Sequence, residues 1–531
     1  MPIPRRTLAC ALAAATTTSL VLAAAGPVSA RAVDDGALTP RTHFVVPPLN
    51  PDGSTPAPPA NGEKIPNIDS VKATIRAYYG ATSAGVADTT SSPYISEVTA
   101  LRDEVLAELP DPAPAPDLAV VLDVDDTLLW TYDMVDAAMH FHVDPEVRDE
   151  EWVQPGRFPA TPGMVDLVTE VRERGYEVYA LSERSPALEE ATLANLAAAG
   201  YPGFTAATVL TRPRAGQTLV ELKTGLRAEL ESQGATIVLN VGDQYADLLG
   251  GHAEEVVKLP NPTYFLPSPN VSGAPARDAG LVLPTEFEMA PNGSSGRTTP
   301  GDRLPNIDNV LAQVRAYYGA VDGIADKKAS PYVSQMTAFA KRWKQKLTDV
   351  CARGVKKRLR PAVVFDADDT TLMTYDMEDA AMGFHYTTAL QNVWVQESRF
   401  PATPRMPGVV AVAAKAGCTS VGLTGRNNAQ RVATLDNLAR YYHDRRGNPY
   451  FRSAYYFTKW TSSDTPPAYV DCTIDGNPAG CSSVDFKAST RRLLQERGMR
   501  IVANFGDQYG DLVGGRSVRA VKLPNPTYYL P

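Results

Sequence analysis

The stretch LAVVLDVDDT, residues 118–127, sets the reading of the whole chain. Residues 118–122 form an unbroken apolar run, the pattern of a strand covered on both faces, and the run stops in acid at Asp123, Asp125 and Asp126. The arrangement returns as AVVFDADDT at 362–370, with Asp366, Asp368 and Asp369. Further apolar runs at 177–181 and 236–241 are matched by 419–423 and 500–505. Helical stretches lie between them. Residues 70–79 put Val71, Ile75 and Tyr78 at helical spacing behind Asp69 as N-cap, and 187–199 end at Gly200. Strands alternating with helices predict an α/β fold: a parallel sheet flanked by helices, with ligands outside the carboxyl ends of the strands.

The chain is also a tandem duplication. PNIDSVKATIRAYYG at 66–80 recurs as PNIDNVLAQVRAYYG at 305–319, RFPATP at 157–162 recurs at 399–404, GDQY at 242–245 recurs at 506–509, and LPNPTY at 259–264 recurs at 523–528. The offset grows from 239 to 242 to 264, so the second copy carries 22 extra residues between 424 and 487, in the region of 450–481. A period this long means two copies of a domain, not an array of short repeats. Domains at 63–267 and 301–531 follow, with a Pro-rich leader at 33–62 and a Pro/Gly/Ser-rich linker at 268–300. Two domains suit 531 residues, more than one core usually serves.

Composition excludes several classes. With 44% hydrophobic and 21% charged residues the chain is neither disordered throughout nor a polytopic membrane protein. A net charge of −9 argues against a sequence-independent nucleic-acid surface. Residues 1–32 read as a bacterial-type export signal: Arg5 and Arg6, an Ala-rich apolar run at 8–25, then a small-x-small site. An uncleaved N-terminal anchor is the alternative. Cleavage leaves a secreted protein with no membrane segment and four cysteines, Cys351, Cys418, Cys472 and Cys481. An even number in an exported chain suggests two disulfides, and Cys472–Cys481 would close a short loop around Asp475-Gly476-Asn477-Pro478.

Each copy repeats four chemical elements in one order: an acid cluster at a strand end, a hydroxyl at the next strand end (Ser182, Thr424), a lysine in a helical stretch (Lys223, Lys487), and a Gly-Asp with a second acid four residues on (Asp243 and Asp247; Asp507 and Asp511). A carboxylate at a strand end can attack phosphorus, and an acid two residues on can protonate a leaving oxygen and then activate water. Clustered carboxylates repel unless a hard cation such as Mg²⁺ sits among them. The hydroxyl and lysine can hold phosphoryl oxygens.

These elements resemble the four signatures of the haloacid dehalogenase-like (HAD) superfamily, and VGDQYADL, FGDQYGDLVGG and KLPNPTYYLP are similar to its secreted acid phosphatase branch, class B-like subfamily IIIB, to which plant vegetative storage proteins are related. The resemblance implies two tandem Rossmann-like domains, each with a small cap insertion. It implies Asp123 and Asp366 as nucleophiles and Asp125 and Asp368 as general acid/bases. It implies Mg²⁺ ligation by Asp123, the Asp125 carbonyl and Asp243, and by Asp366, the Asp368 carbonyl and Asp507, with Asp247 and Asp511 acting mainly through metal-bound water. Ser182, Lys223, Thr424 and Lys487 would bind phosphate, and Asp126 and Asp369 would be structural. It also makes the first two strands neighbours, so that Cys351 and Cys418 could be bridged. The activity implied is hydrolysis of small phosphomonoesters through an aspartyl-phosphate. The alternatives are phosphotransfer to an alcohol and a non-catalytic storage or binding protein.

Five points stay open on sequence. Copy 1 has Glu183 where copy 2 has Gly425, which predicts a slower or differently selective copy 1. Arg184 and Arg426 either reach the phosphate or pair with a local acid. Tyr132 and Tyr375 either line the pocket or pack in the core, and His142 and His385 are either structural or influence pH dependence. Oligomeric state is not readable.

Overall fold

The computed structural model describes residues 38, 41–47, 57, 59–211, 216–266, 281, 286–289, 303–461, 463–477 and 480–530. The export signal expected at 1–32 lies outside the described residues, as does most of the linker. In copy 1 the elements are β1 (His43–Val45), α1 (Ile68–Tyr78), α2 (Pro93–Glu108), β2 (Leu118–Asp123), α3 (Met164–Glu173), β3 (Glu177–Ser182), α4 (Glu189–Ala198), β4 (Val209–Thr211), α5 (Leu219–Ser232), β5 (Thr236–Gly242), α6 (Tyr245–Leu248) and β6 (Glu255–Lys258). Then follow β7 (Glu286–Glu288), α7 (Ile307–Tyr318), α8 (Pro331–Lys356), β8 (Arg360–Phe365), α9 (Thr388–Gln396), α10 (Met406–Lys415), β9 (Thr419–Asn427), α11 (Arg431–Ala439), β10 (Tyr456–Lys459), α12 (Ser483–Glu496), β11 (Met499–Gly506) and β12 (Ala520–Lys522).

Two parallel five-stranded sheets result, in the orders β4-β3-β2-β5-β6 and β10-β9-β8-β11-β12. Successive side chains of a strand face opposite sides. Thus Val120 and Leu122 fall in one apolar cluster with Leu167 and Val171 of α3, while Ala119 and Val121 fall in another with Leu222 and Leu226 of α5. Both faces of β2 are therefore covered, as its continuous apolar run requires. After β2 the chain builds one side of the sheet through β3 and β4, then crosses to the other side with β5 and β6. The reversal opens a crevice at the carboxyl ends of β2 and β5, where Asp123 and Gly242-Asp243 stand. Between β2 and α3 a small insertion with helical turns at Met134–Ala138 and Val147–Val153 overhangs this end; copy 2 has Met377–Ala381 and α9.

The two copies interlock. One apolar cluster runs from copy 1 into copy 2, with α1 against α7. The insertions meet across this junction: His140 stacks on His385 with ring centroids 3.6 Å apart, and Lys72 Nζ donates to the carbonyls of His140 and Phe384 at 3.3 and 2.7 Å. The leader and linker are more than connectors, because β1 of one pairs antiparallel with β7 of the other. The N-cap of α1 is Asn67, not Asp69: Asn67 Oδ1 accepts from Asp69 N and Ser70 N, which puts Asp69 inside the first turn.

Both disulfides form. Cys351 of α8 joins Cys418 ahead of β9, and Cys472 joins Cys481 in the segment by which copy 2 exceeds copy 1. That segment is also tied to α12, since Asp485 accepts from Ile474 N and Asp475 N.

The turn after β5 rests on a buried guanidinium. Arg227 of α5 donates to the carbonyls of Asp247, Leu249 and Gly251, and Arg491 repeats this with Asp511, Val513 and Gly515. Replacing Arg227 by Met removes a donor shared by three carbonyls. We expect a loss of about 2–4 kcal/mol, read as a lower midpoint of urea unfolding.

Candidate active site

Each crevice gathers the acids from separate parts of the sequence. Asp123, Asp243 and Asp247 place carboxylate oxygens within 4.8 Å of one another, and so do Asp366, Asp507 and Asp511. The glycine of the Gly-Asp pair has a steric reason: a Cβ at Gly242 would lie 2.5 Å from Asp247 Cβ. Only glycine lets the strand end and the following turn approach so closely. Asp247 Oδ2 accepts from Gln244 N at 2.9 Å, and Asp511 Oδ2 accepts from Gln508 N at 2.9 Å.

A lysine lies among the acids in both copies. Lys223 Nζ contacts Asp123, donates to the carbonyl of Leu181 at 2.7 Å, and lies 3.3 Å from Asp247. Lys487 Nζ is 2.8 Å from Asp366 and also contacts Asp511. Burial works against both ammonium groups, but the two carboxylates beside each prevail and hold it charged. Both lysines descend from the helices α5 and α12, fixed by capping boxes Thr218–Glu221 and Ser482–Asp485.

The arginines take the local-acid alternative. Arg184 grips Asp125 in a fork of 3.0 and 2.5 Å, and Arg426 grips Asp368 with Nη2 at 2.5 Å. Each guanidinium also reaches a buried threonine, Thr192 or Thr434, at 3.1 Å. The hydroxyls of Ser182 and Thr424 are buried and accept from the amides of Arg184 and Arg426; Ser182 ends β3 as the sequence predicts, whereas β9 runs on past Thr424 to Asn427. Asp126 and Asp369 have left-handed backbones, with φ of 54° and 46°, and their carboxylates bind Thr131 and Thr374. Tyr132 and Tyr375 belong to the core: both are buried, donate to Asp136 and Asp379, and stack on Tyr79 and Tyr318. Glu183 occupies a position where copy 2 has an exposed Gly425, and its charge reaches Lys223.

Sequence reasoning missed the donors around the second acid. Asp243 accepts from Thr127 at 3.3 Å, Asn261 at 2.8 Å, Gln244 at 2.8 Å and Tyr264 at 3.2 Å. Asp507 accepts from Thr370 at 3.0 Å, Asn525 at 2.8 Å, Gln508 at 2.8 Å and Tyr528 at 3.1 Å. The repeated LPNPTY was visible as a repeat, but nothing in it indicated that its Asn and Tyr turn back onto the acid. Glu378, buried in copy 2 where copy 1 has Val135, was also missed; its Oε1 accepts from Thr374. In copy 2 the crevice opens into a cleft of about 440 Å³ whose wall includes Asp366, Asp368, Arg426, Phe384, Tyr386 and, from the other copy, Asp69.

A model of the HAD superfamily, subfamily IIIB (acid phosphatase), matches residues 75–267 and 320–531. The chain belongs to subfamily IIIB. Curated relatives of this subfamily IIIB chain include the soybean (Glycine max) stem 28 kDa glycoprotein, 38% identical over 22% of this chain and 47% of that protein. Acid phosphatase 1 of Solanum lycopersicum is 32% identical over 28% and 58%, and vegetative storage protein 2 of Arabidopsis thaliana is 34% identical over 28% and 56%. The chain spans about half the length of these relatives.

The donor set fits a hard divalent cation. Burial, then Asp247, raises Asp243 to about 7, and burial, then Asp511, raises Asp507 to about 6. Between about pH 4 and these values the folded protein holds protons that the unfolded chain has lost, so metal-free stability falls as pH rises through this window. A bound cation displaces those protons. Thermal scans in EDTA should therefore show Tm declining from pH 4.5 to 7.5, and Mg²⁺ should raise Tm more at pH 7.5 than at pH 4.5. An equal rise at both would count against these carboxylates as the ligands.

Proposed function

We propose that the protein is an exported, Mg²⁺-dependent acid phosphatase with two working sites, in domains 63–267 and 301–531, acting on small phosphomonoesters. The observation that carries this reading is the twofold recurrence of one grouping: a buried strand-end aspartate on a lysine, a half-buried second aspartate two residues on in the grip of an arginine, and a buried carboxylate pair from the next crossing of the sheet. Asp123 or Asp366 attacks phosphorus through a carboxylate oxygen, and the bond from phosphorus to the leaving oxygen breaks. Asp125 or Asp368 supplies the proton that the leaving oxygen takes up. The same residue then accepts a proton from water as that water attacks the aspartyl-phosphate, which releases phosphate and restores the carboxylate. Lys223 and Lys487 hold the nucleophile in place and offset charge on the phosphoryl oxygens, with Ser182 and Thr424 on the neighbouring strands β3 and β9 as further phosphate contacts. Asp123, Asp243, Asp247 and the Asp125 carbonyl, and Asp366, Asp507, Asp511 and the Asp368 carbonyl, would hold Mg²⁺, which supplies electrostatic stabilisation of the transferring group.

Hydrolysis of p-nitrophenyl phosphate tests this. Asp123→Asn and Asp366→Asn should each remove one site's share. The double variant should fall by about 10³-fold or more, and EDTA should abolish the activity of the parent. Activity surviving in the double variant rejects the mechanism. A parent inactive with Mg²⁺ from acid to neutral pH points instead to storage or binding, and product analysis with added alcohol separates transfer from hydrolysis.

Glu183 gives a further test. In the Asp366→Asn chain, where copy 1 alone works, Glu183→Gly should tighten inhibition by inorganic phosphate about 2- to 10-fold, the scale of one like charge near the surface. No change would mean that the acid points away from the bound anion.

A further inference from the structure

The two crevices are not independent, because the backbone that arranges each one is held by the other copy. The segment LPNPTYYL at 523–530 carries Asn525 and Tyr528, both donors to Asp507. The first helix of copy 1 seizes this segment. Asn67 Nδ2 donates to the carbonyls of Asn525 and Tyr528 at 3.3 and 2.6 Å, Ile68 N donates to the carbonyl of Pro526 at 3.0 Å, and Asp69 Oδ2 accepts from Tyr529 N at 3.1 Å. The mirror arrangement holds the segment at 259–266. Asn306 Nδ2 donates to the carbonyls of Asn261 and Tyr264 at 3.3 and 2.7 Å, Ile307 N to that of Pro262 at 3.0 Å, and Asp308 Oδ2 accepts from Phe265 N at 3.0 Å. The other end of each helix stays in its own copy, where Arg76 pairs with buried Asp136 and Arg315 with Asp379.

We propose that Asn67 and Asn306 are positioning residues acting in trans: copy 1 sets the carboxylate Asp507 of site 2, and copy 2 sets Asp243 of site 1. Each asparagine does two jobs with one amide. Its oxygen caps its own helix, and its nitrogen holds two carbonyls of the opposite tail. The tail also has support within its own copy, from Gln508 Oε1 accepting Leu530 N and Gln244 Oε1 accepting Leu266 N. Own-copy groups also bond the residues touching the acid: Thr527 donates to Asn525 Oδ1, Thr263 to Asn261 Oδ1, and Gln508 Nε2 to the Tyr528 carbonyl at 3.3 Å. The amide of the opposite copy adds two bonds to the main-chain carbonyls of these same residues, tying both donors of each tail to one group. Asp69 also forms part of the wall of the copy 2 cleft, so the contribution in trans reaches the substrate space itself. This inference rests on the proposed function only for its kinetic readout.

The test uses the full chain and the substitution Asn67→Asp. Aspartate is as good an N-cap as asparagine, so the helix keeps its start, but both donations across the junction are lost. In the Asp123→Asn background, where only site 2 works, Asn67→Asp should lower kcat/KM about tenfold and raise the Mg²⁺ concentration for half-maximal activity, the usual scale for disturbing a ligand's supporting shell. In the Asp366→Asn background, where only site 1 works, the same substitution should change neither quantity by more than about twofold. Asn306→Asp should do the reverse in each background. Hydrogen exchange supplies a readout that does not depend on catalysis. Asn67→Asp should speed exchange of the amides at 525–530 and leave those at 261–266 unchanged. Equal effects at both sites, an effect on the copy that carries the substitution, or unchanged exchange would overturn the proposal. If the parent proves inactive, the functional reading fails and the exchange data alone still decide this one.

Discussion

The molecule is organised around an imbalance of charge in places that water cannot easily reach. In each copy three carboxylates converge at the ends of two strands, and a single lysine lies among them. Burying like charges together is costly unless donors and a counter-charge are arranged around them. Nearly every distinctive local feature near the crevice serves that end. The capping boxes fix the lysine-bearing helices, the arginine forks take up Asp125 and Asp368, and the glycines before Asp243 and Asp507 let the following turn come close. The residual excess is what makes the grouping suited to a cation rather than to a closed salt-bridge network.

The same need explains why the tail segments fold back. Asp243 and Asp507 draw hydrogen bonds from four side chains each, and two of the four come from the tail segment 18 and 21 residues on. A segment carrying donors must itself be held, and proline-rich backbone has few ways of holding itself. The first helix of the opposite copy offers what the segment lacks: free amides at a helix start, and an asparagine whose nitrogen is not used in capping. The duplication is therefore built into the chemistry of both crevices.

The fold was legible because the strands beside the acids are buried on both faces and so read as continuous apolar runs, and because the duplication displayed every element twice. The gathering of the acids around a lysine was legible for the same reason. What sequence could not show was orientation. Arg184 and Arg426 stood beside the second motif with two possible partners, and only the fold brings Asp125 and Asp368 within reach. Asp69 looked like a helix cap by type and position. Asn67 takes that place, and Asp69 is released to bind a segment more than four hundred residues away. Tyr132 and Tyr375 follow the strand-end acid so closely that pocket and core were both open on sequence, and the chain after β2 and β8 directs them into the core, where buried Asp136 and Asp379 receive their hydroxyls. Contacts between copies have no signature in a single sequence, since each repeat looks the same whether it is self-contained or crossed.

The crossed helices also impose an order on assembly. In a chain synthesised from its N-terminus, the tail of copy 1 at 259–266 exists before its holder at 306–308, whereas copy 2's holder at 67–69 exists long before the tail at 525–530 that it will grip. The first crevice must wait only for the next helix to emerge. The second cannot be arranged until residues 525–530 have been made, although its clamp is 460 residues upstream. A chain stopped before residue 525 would thus carry a first crevice with its tail clamped and a second with its clamp closed on nothing.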